Sequence, residues 1–177
     1  TGVQTCALPI SRAFITSQGL YEASINGKKV GDAFLTPGWT SYKKRLQYQV
    51  YDVTSMLKTG KNALGAMLGN GWFRGVLAWE NNGNLFGNKL ALLFQMHVTY
   101  TDGSQEVFIS DEHWKSSYGS IISSEIYDGE TIDARKEQVG WNTVGFNDAA
   151  WSGVGIANSG FDHLLATYNE DRKSTRL

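Results

Sequence analysis

Apolar and polar positions alternate along most of this chain, and the dominant period is two. Within residues 20–32, Tyr21, Ala23 and Ile25 alternate with Glu22, Ser24 and Asn26. The Asn26-Gly27 dipeptide that follows tolerates the positive φ angles of a two-residue turn, so the pattern predicts a β-hairpin. A longer hairpin is predicted further on. Leu90, Leu92, Phe94, Met96, Val98 and Tyr100 share one face, Gln95, His97 and Thr99 the other, and Asp102-Gly103 turns the chain into a strand over 106–110. Strands are also expected at 13–16, 46–52, 63–68 and 114–117, with Gly or Asn near most boundaries. Only 54–58 has helical character, with Thr54 placed to cap its start and Gly60 just past its end. About eight short strands divided by turns predict an all-β fold, a jelly-roll or galactose-binding-like β-sandwich in a single domain.

The character of the chain changes near Asp128, where a polar, irregular run begins that carries Trp141, Phe146 and Trp151. Residues 12–136 are therefore expected to form the sandwich, and 137–170 a closing strap or linker toward a further domain. The two ends are expected to be foreign to the fold. Arg172 to Leu177 can be encoded so that the complementary strand reads Gln-Thr-Cys-Ala-Leu-Pro, which is the sequence from Gln4 to Pro9. Both ends resemble translated sequencing-adapter read-through, so 1–11 and 171–177 are set aside, and the chain is expected to be a piece of a longer protein. With Cys6 set aside, no disulfide, CxxC motif or thiol nucleophile is expected, and neither compartment nor localisation is indicated.

Composition narrows the function classes. Sixteen Lys and Arg stand against 17 Asp and Glu, with three basic residues in a row only at Lys43, Lys44 and Arg45. That balance points away from nucleic acid, and a basic cluster of this size reads as a solvated loop. No apolar run approaches the ~18 residues of a spanning helix, and no polybasic patch suggests a membrane surface. Twenty Gly and six Trp among 22 aromatic residues instead suit a sandwich whose surface stacks on sugars.

The richest recognition chemistry lies in the loop 68–82. Sugar sites combine a flat aromatic face for ring C–H groups with planar amide, carboxylate or guanidinium groups for hydroxyls. Trp72, Phe73, Arg74, Trp79, Glu80, Asn81 and Asn82 supply that set. The alternative is that Trp72 and Phe73 plug the core while Arg74 pairs with a strap carboxylate. Glu125, Asp128, Glu130 and Asp133 are the only acidic run that could serve glycoside hydrolysis, which needs two carboxylates flanking the sugar. Their place in an irregular strap favours turn hydrogen bonds and ion pairs instead. His97, His113 and His163 lack metal-ligand spacing, no Ser/His/Asp order follows from the strands, and no Gly-rich phosphate loop opens a helix.

Four stretches carry a family resemblance in order: NGKKVGDAFLTPGWTSYKKRLQYQVYDVT, LGNGWFRG, GNKLALLFQMHVTYTDGS, and EIYDGETIDAR followed by GWNTVGFNDAAW. Together they resemble the N-terminal β-sandwich module of bacterial α-L-rhamnosidases, glycoside hydrolases that remove terminal L-rhamnose. The resemblance spans about Arg12 to Trp151. Val144 and Asn147 depart from its pattern, in the GWNTP and FDD motifs. It implies a non-catalytic, carbohydrate-binding-like module, with the acid and base carboxylates in a barrel elsewhere in the parent enzyme. The implied partners are a rhamnose-containing glycan and the remaining domains of the parent chain. Some modules of this kind use calcium, for which Asp32, Glu80 and Asn81 are the candidate ligands, with Asn82 and Asn84 as further oxygen donors.

Overall fold

The alternation of buried and exposed side chains carries directly into a computed structural model that describes residues 10–77 and 81–167. Its strands, in chain order, are β1 (Ile10–Gln18), β2 (Leu20–Ile25), β3 (Lys28–Lys29), β4 (Leu46–Asp52), β5 (Leu64–Gly69), β6 (Ala91–Thr99), β7 (Gln105–Ile109), β8 (Lys115–Ser116), β9 (Ile121–Glu125), β10 (Gly129–Ile132), β11 (Ser152–Gly153) and β12 (Leu164–Ala166). Helical structure is confined to one four-residue helix, α1 (Gly71–Arg74), and two 3-10 turns, Thr54–Met56 and Ala134–Lys136.

A five-stranded sheet ordered β12-β4-β1-β6-β7 packs on a three-stranded sheet ordered β3-β2-β5, and β10-β9 and β11-β8 form two small ladders. The chain crosses from the first sheet to the second at Gly19. Its φ is +114°, and a Cβ there would stand 2.5 Å from the Gly69 carbonyl oxygen, so the corner admits only glycine. Between the sheets lies one core. Ala13 and Ile15 from β1, Tyr21, Ala23 and Ile25 from β2, and Phe94, Met96 and Val98 from β6 are all buried, joined by Val30 and Val53. The period-two sets read from the sequence thus face inward within the strands, though Tyr100 at the end of the second set is exposed, and the all-β sandwich stands.

Both predicted hairpins form. Ser24 pairs with Lys29 and Ile25 with Lys28 across Asn26 and Gly27, whose φ angles of 52° and 80° are those of a type I′ turn. Strands β6 and β7 pair from Gln95 with Ile109 to Thr99 with Gln105. In their connection the Asp102 carboxylate accepts from the Ser104 amide at 2.9 Å and its hydroxyl at 2.6 Å. Three details differ from the sequence reading. Thr54 is not the cap of its turn: Val53 holds that position, and Thr54 Oγ1 accepts from the Ser11 amide at 2.9 Å. Ile10 and Ser11 belong to β1, pairing with Thr99 and Val98. The polar run after Asp128 also begins with a strand, because Glu130 and Thr131 pair with Ser124 and Ser123.

Later in the run, Trp151 lies beside Trp141 and Phe146 at centroid distances of 6.4 and 5.6 Å. Strand β12 then joins the large sheet, parallel to β4. It is fastened by Thr167, whose amide donates to the Tyr48 carbonyl at 2.9 Å and whose hydroxyl accepts from Gln49 Nε2 at 2.8 Å. Among the described residues, no helix is long and apolar enough to cross a membrane.

Candidate functional site

Two connections meet beside the second, smaller core: the 30–45 segment between β3 and β4, and the 70–90 segment between β5 and β6. Phe73 is the keystone of the second segment. It is 4% exposed, and its ring meets the edge of Tyr42 at 5.2 Å, while Tyr42 meets Phe86 at 4.9 Å. Burial pushes the Tyr42 phenol up to about 12, so it stays protonated and donates to the Gly38 carbonyl at 3.1 Å. Phe73 is therefore the core plug that the alternative reading proposed.

Trp72, one residue earlier on α1, is only partly buried and packs against the outside of that core. It lies parallel to Trp39, with the ring centroids 5.8 Å apart and the planes 5° from parallel. Trp39 is 55% exposed, so the pair presents one indole to solvent backed by another that is partly buried. Nothing in the period-two pattern singles out Trp39. The usable signal was local: an aromatic residue between Gly38 and Thr40, in a turn segment where no core position is expected.

The turn that aims Trp72 is locked by a carboxylate at the end of β9, and not through Arg74 and a carboxylate of the strap. Glu125 Oε2 accepts from the Val76 amide at 3.1 Å, and Oε1 accepts from Asn70 Nδ2 at 2.9 Å. Gly75 makes room for this arrangement, since a Cβ there would lie 2.5 Å from Glu125 Oε2 and 2.3 Å from the Gly71 carbonyl oxygen. Arg74 is exposed and enters no ion pair among the described residues. Its carbonyl accepts from the Asn84 amide at 2.9 Å, and the Leu77 amide donates to the Asn82 carbonyl at 3.0 Å. These bonds fold the loop back on itself. Asn81 and Asn82 are exposed, Asn81 with a φ of 54°. Trp79 and Glu80 lie outside the described residues.

The remaining candidates resolve into local chemistry. Glu130 accepts from Ser124 Oγ at 3.2 Å. Asp133 accepts from Arg135 Nε and Nη2 at 2.8 and 2.9 Å, and this pairing holds its carboxyl below the usual range. With Glu125 occupied by the loop, three of the four acidic residues of that run have structural partners. Lys43, Lys44 and Arg45 are exposed in a turn whose amides at 44 and 45 donate to the Ser41 carbonyl. Asp32 is exposed in the segment after β3. Asp32 and Asn81 carry the hard oxygen donors that calcium takes. Among the described residues, no three His, Cys, Asp or Glu side chains gather at one point.

The family model described as the α-L-rhamnosidase N-terminal domain matches residues 8–175. The chain belongs to that family. Among α-L-rhamnosidases, the Streptomyces avermitilis enzyme is 46% identical over 144 residues, which is 81% of this chain and 14% of the enzyme. A Formosa agariphila α-L-rhamnosidase is 41% identical over 145 residues, 81% of this chain and 16% of its own length. The crystal structure of the Aspergillus terreus α-L-rhamnosidase superposes with a TM-score of 0.86 at 43% identity, covering 94% of this chain and 21% of that one. The S. avermitilis α-L-rhamnosidase, solved in complex with L-rhamnose, gives 0.82 at 42% identity over 89% of this chain and 15% of its own. This α-L-rhamnosidase N-terminal domain thus spans at most 21% of the length of these relatives.

Proposed function

We propose that this domain is a non-catalytic accessory module of a multidomain α-L-rhamnosidase, and that its tryptophan-bearing end helps to position a rhamnose-containing glycan. The parallel Trp39 and Trp72 pair carries this reading. A solvent-facing indole held flat by a second indole is a pre-oriented platform for the C–H face of a pyranose, with little side-chain entropy left to lose. Arg74, Asn81 and Asn82, with Trp79 and Glu80 from the same loop, supply the planar polar groups for sugar hydroxyls. In the same reading, Asp32, Glu80 and Asn81 are the oxygen donors for calcium. Among the described residues the platform carries no acid–base pair, and the expected outcome is binding without turnover.

Calorimetric or NMR titration with L-rhamnose, with and without calcium, tests the proposal. Weak binding that Trp39→Ala abolishes is expected, and no change at millimolar sugar would sink the glycan reading. Release of rhamnose from p-nitrophenyl rhamnoside by the chain alone would overturn the non-catalytic reading.

A purely structural role, packing against the rest of the enzyme, is favoured by a separate observation. Large apolar side chains stand exposed outside the 30–45 and 70–90 segments, among them Tyr118 at 95% and Val139 at 86%.

A further inference from the structure

The described chain divides sharply at the end of β6. Every buried residue precedes Thr99, and none of residues 99–167 is buried. Fourteen of the twenty-one exposed large apolar side chains lie in that second part. Charge divides at the same place. Residues 10–98 carry ten Lys and Arg against four Asp and Glu, whereas 99–167 carry three against eleven, an asymmetry that the near-neutral total conceals.

Two elements make the second part look half-covered. Strand β7 is an outer edge of the large sheet, and all five of its residues are exposed. Phe108 pairs with buried Met96 and so lies on the inner face, yet it is 37% exposed, because the three-stranded sheet does not reach it. Val107 and Ile109, on the other face, are 48% and 53% exposed. Natural edge strands are usually blunted by charges, Pro or a bulge, and β7 has no Pro or bulge in QEVFI, its one charge being Glu106, which accepts from the Tyr100 hydroxyl at 2.6 Å. The β9–β10 ladder is a two-stranded sheet, an arrangement that is marginal in water without a third strand or a packed face. It exposes Ile122 at 50%, Tyr127 at 62% and Ile132 at 60%.

We propose that the exposed apolar side chains of the β9–β10 hairpin, set in the acidic second part of the chain, are where the remainder of an α-L-rhamnosidase polypeptide packs, through a surface that is apolar with a basic rim. The occupant follows from the relatives. In the solved α-L-rhamnosidases the same fold occupies 15–21% of a much longer chain, so most of the polypeptide lies outside the segment described. A monomeric surface rarely carries this much apolar area uncovered, and a net-acidic part selects a basic counterpart. The inference rests on the domain being one module of a longer enzyme and is independent of glycan contact.

Hydrogen exchange tests it. In the chain alone, amides of β9 and β10 should exchange at least about tenfold faster than those of β1 and β6, a difference of about 1.4 kcal/mol in opening free energy. When residues 10–167 replace the matching segment of the S. avermitilis enzyme, protection in β9 and β10 should rise at least about tenfold. The double variant Ile122→Lys, Ile132→Lys should leave the melting of the isolated chain unchanged and shorten the thermal half-life of the grafted enzyme. Equal protection of β9–β10 and β1 in the chain alone overturns the proposal, and that readout stands whether or not the graft folds. A graft indifferent to the lysines also overturns it. Sedimentation of the chain as a salt-sensitive dimer at micromolar concentration would assign the surface to a second copy instead. The rhamnose titration is read separately, so glycan binding can fail while the packing surface holds, and the reverse.

Discussion

Residues 10–98 and residues 99–167 are both rich in strands, yet only the first part has an interior. In the first, strands stack face to face, so alternate residues of β1, β2 and β6 are withdrawn from water. In the second, strands β8 to β11 form ladders two strands wide. The contrast teaches that strand pairing and burial are separable. A ladder satisfies backbone hydrogen bonds, but only a second layer supplies the apolar contact that makes a fold stable.

The largest effect should come from the first part. Ile15 is fully buried at the centre of the core, and Ile15→Ala should cost about 2–5 kcal/mol in urea unfolding, whereas Ile132→Ala should stay within about 0.5 kcal/mol. Equal costs would mean that the second part has an interior after all. Next comes the link between the parts. Glu125→Ala leaves the Val76 amide and the Asn70 side chain without their acceptor and should cost about 1–3 kcal/mol. Exchange at Val76 should accelerate first, and an unchanged rate there would show that Glu125 does not hold the loop.

A gain is expected at Ser11, whose hydroxyl is buried with no hydrogen-bond partner. Ser11→Ala should stabilise by about 1 kcal/mol, and a loss of stability would reveal an unseen partner, such as a bound water.

The smallest effect lies in the second part and depends on pH. A hydrogen bond to Asp111 raises the His113 pKa, and the same contact lowers that of Asp111. The His113 contribution is full below its ordinary value and fades as pH rises through the raised one. The Asp111 contribution is full above its ordinary value and fades as pH falls through the lowered one. The pair should therefore help most between the ordinary values of 3.8 and 6.5. An NMR titration should place the His113 midpoint above 6.5, returning toward it in Asp111→Asn. Alkaline stability should show the opposite bias. Burial and the Tyr51 hydroxyl raise the pKa of Tyr21, and burial that of Tyr42, both in the first part. Unfolding lets both phenols ionise at their ordinary value, so stability should fall as pH rises past 10.

Legibility in the sequence followed the same division. The two main hairpins were readable because period-two burial and the Asn26-Gly27 and Asp102-Gly103 turns agree with each other. The β9–β10 hairpin was obscured because Ser123, Ser124, Glu130 and Thr131 bury no face, which leaves no hydrophobic period to read. At the candidate site, composition identified the 68–82 loop but not its architecture. Trp72 and Phe73 are adjacent in sequence, and which of them fills the core is decided by Tyr42, about thirty residues earlier. Trp39 joins the site only through that folding, and Glu125 is drawn from a strand that the sequence did not announce.

The direction of β12 has a consequence for the architecture of any chain that carries this domain. Strand β1 runs antiparallel to β4 and β12 runs parallel to it, so the start of β1 and the end of β12 leave the sheet at the same side. With β4 between them, a lateral offset of two strand spacings and six residues of rise put these points roughly 22 Å apart. In a longer polypeptide, segments joined at these two points would depart on one side, so the domain would be mounted sideways, like a bracket on a rail. A short flexible linker of about ten residues could bridge the gap left by its excision.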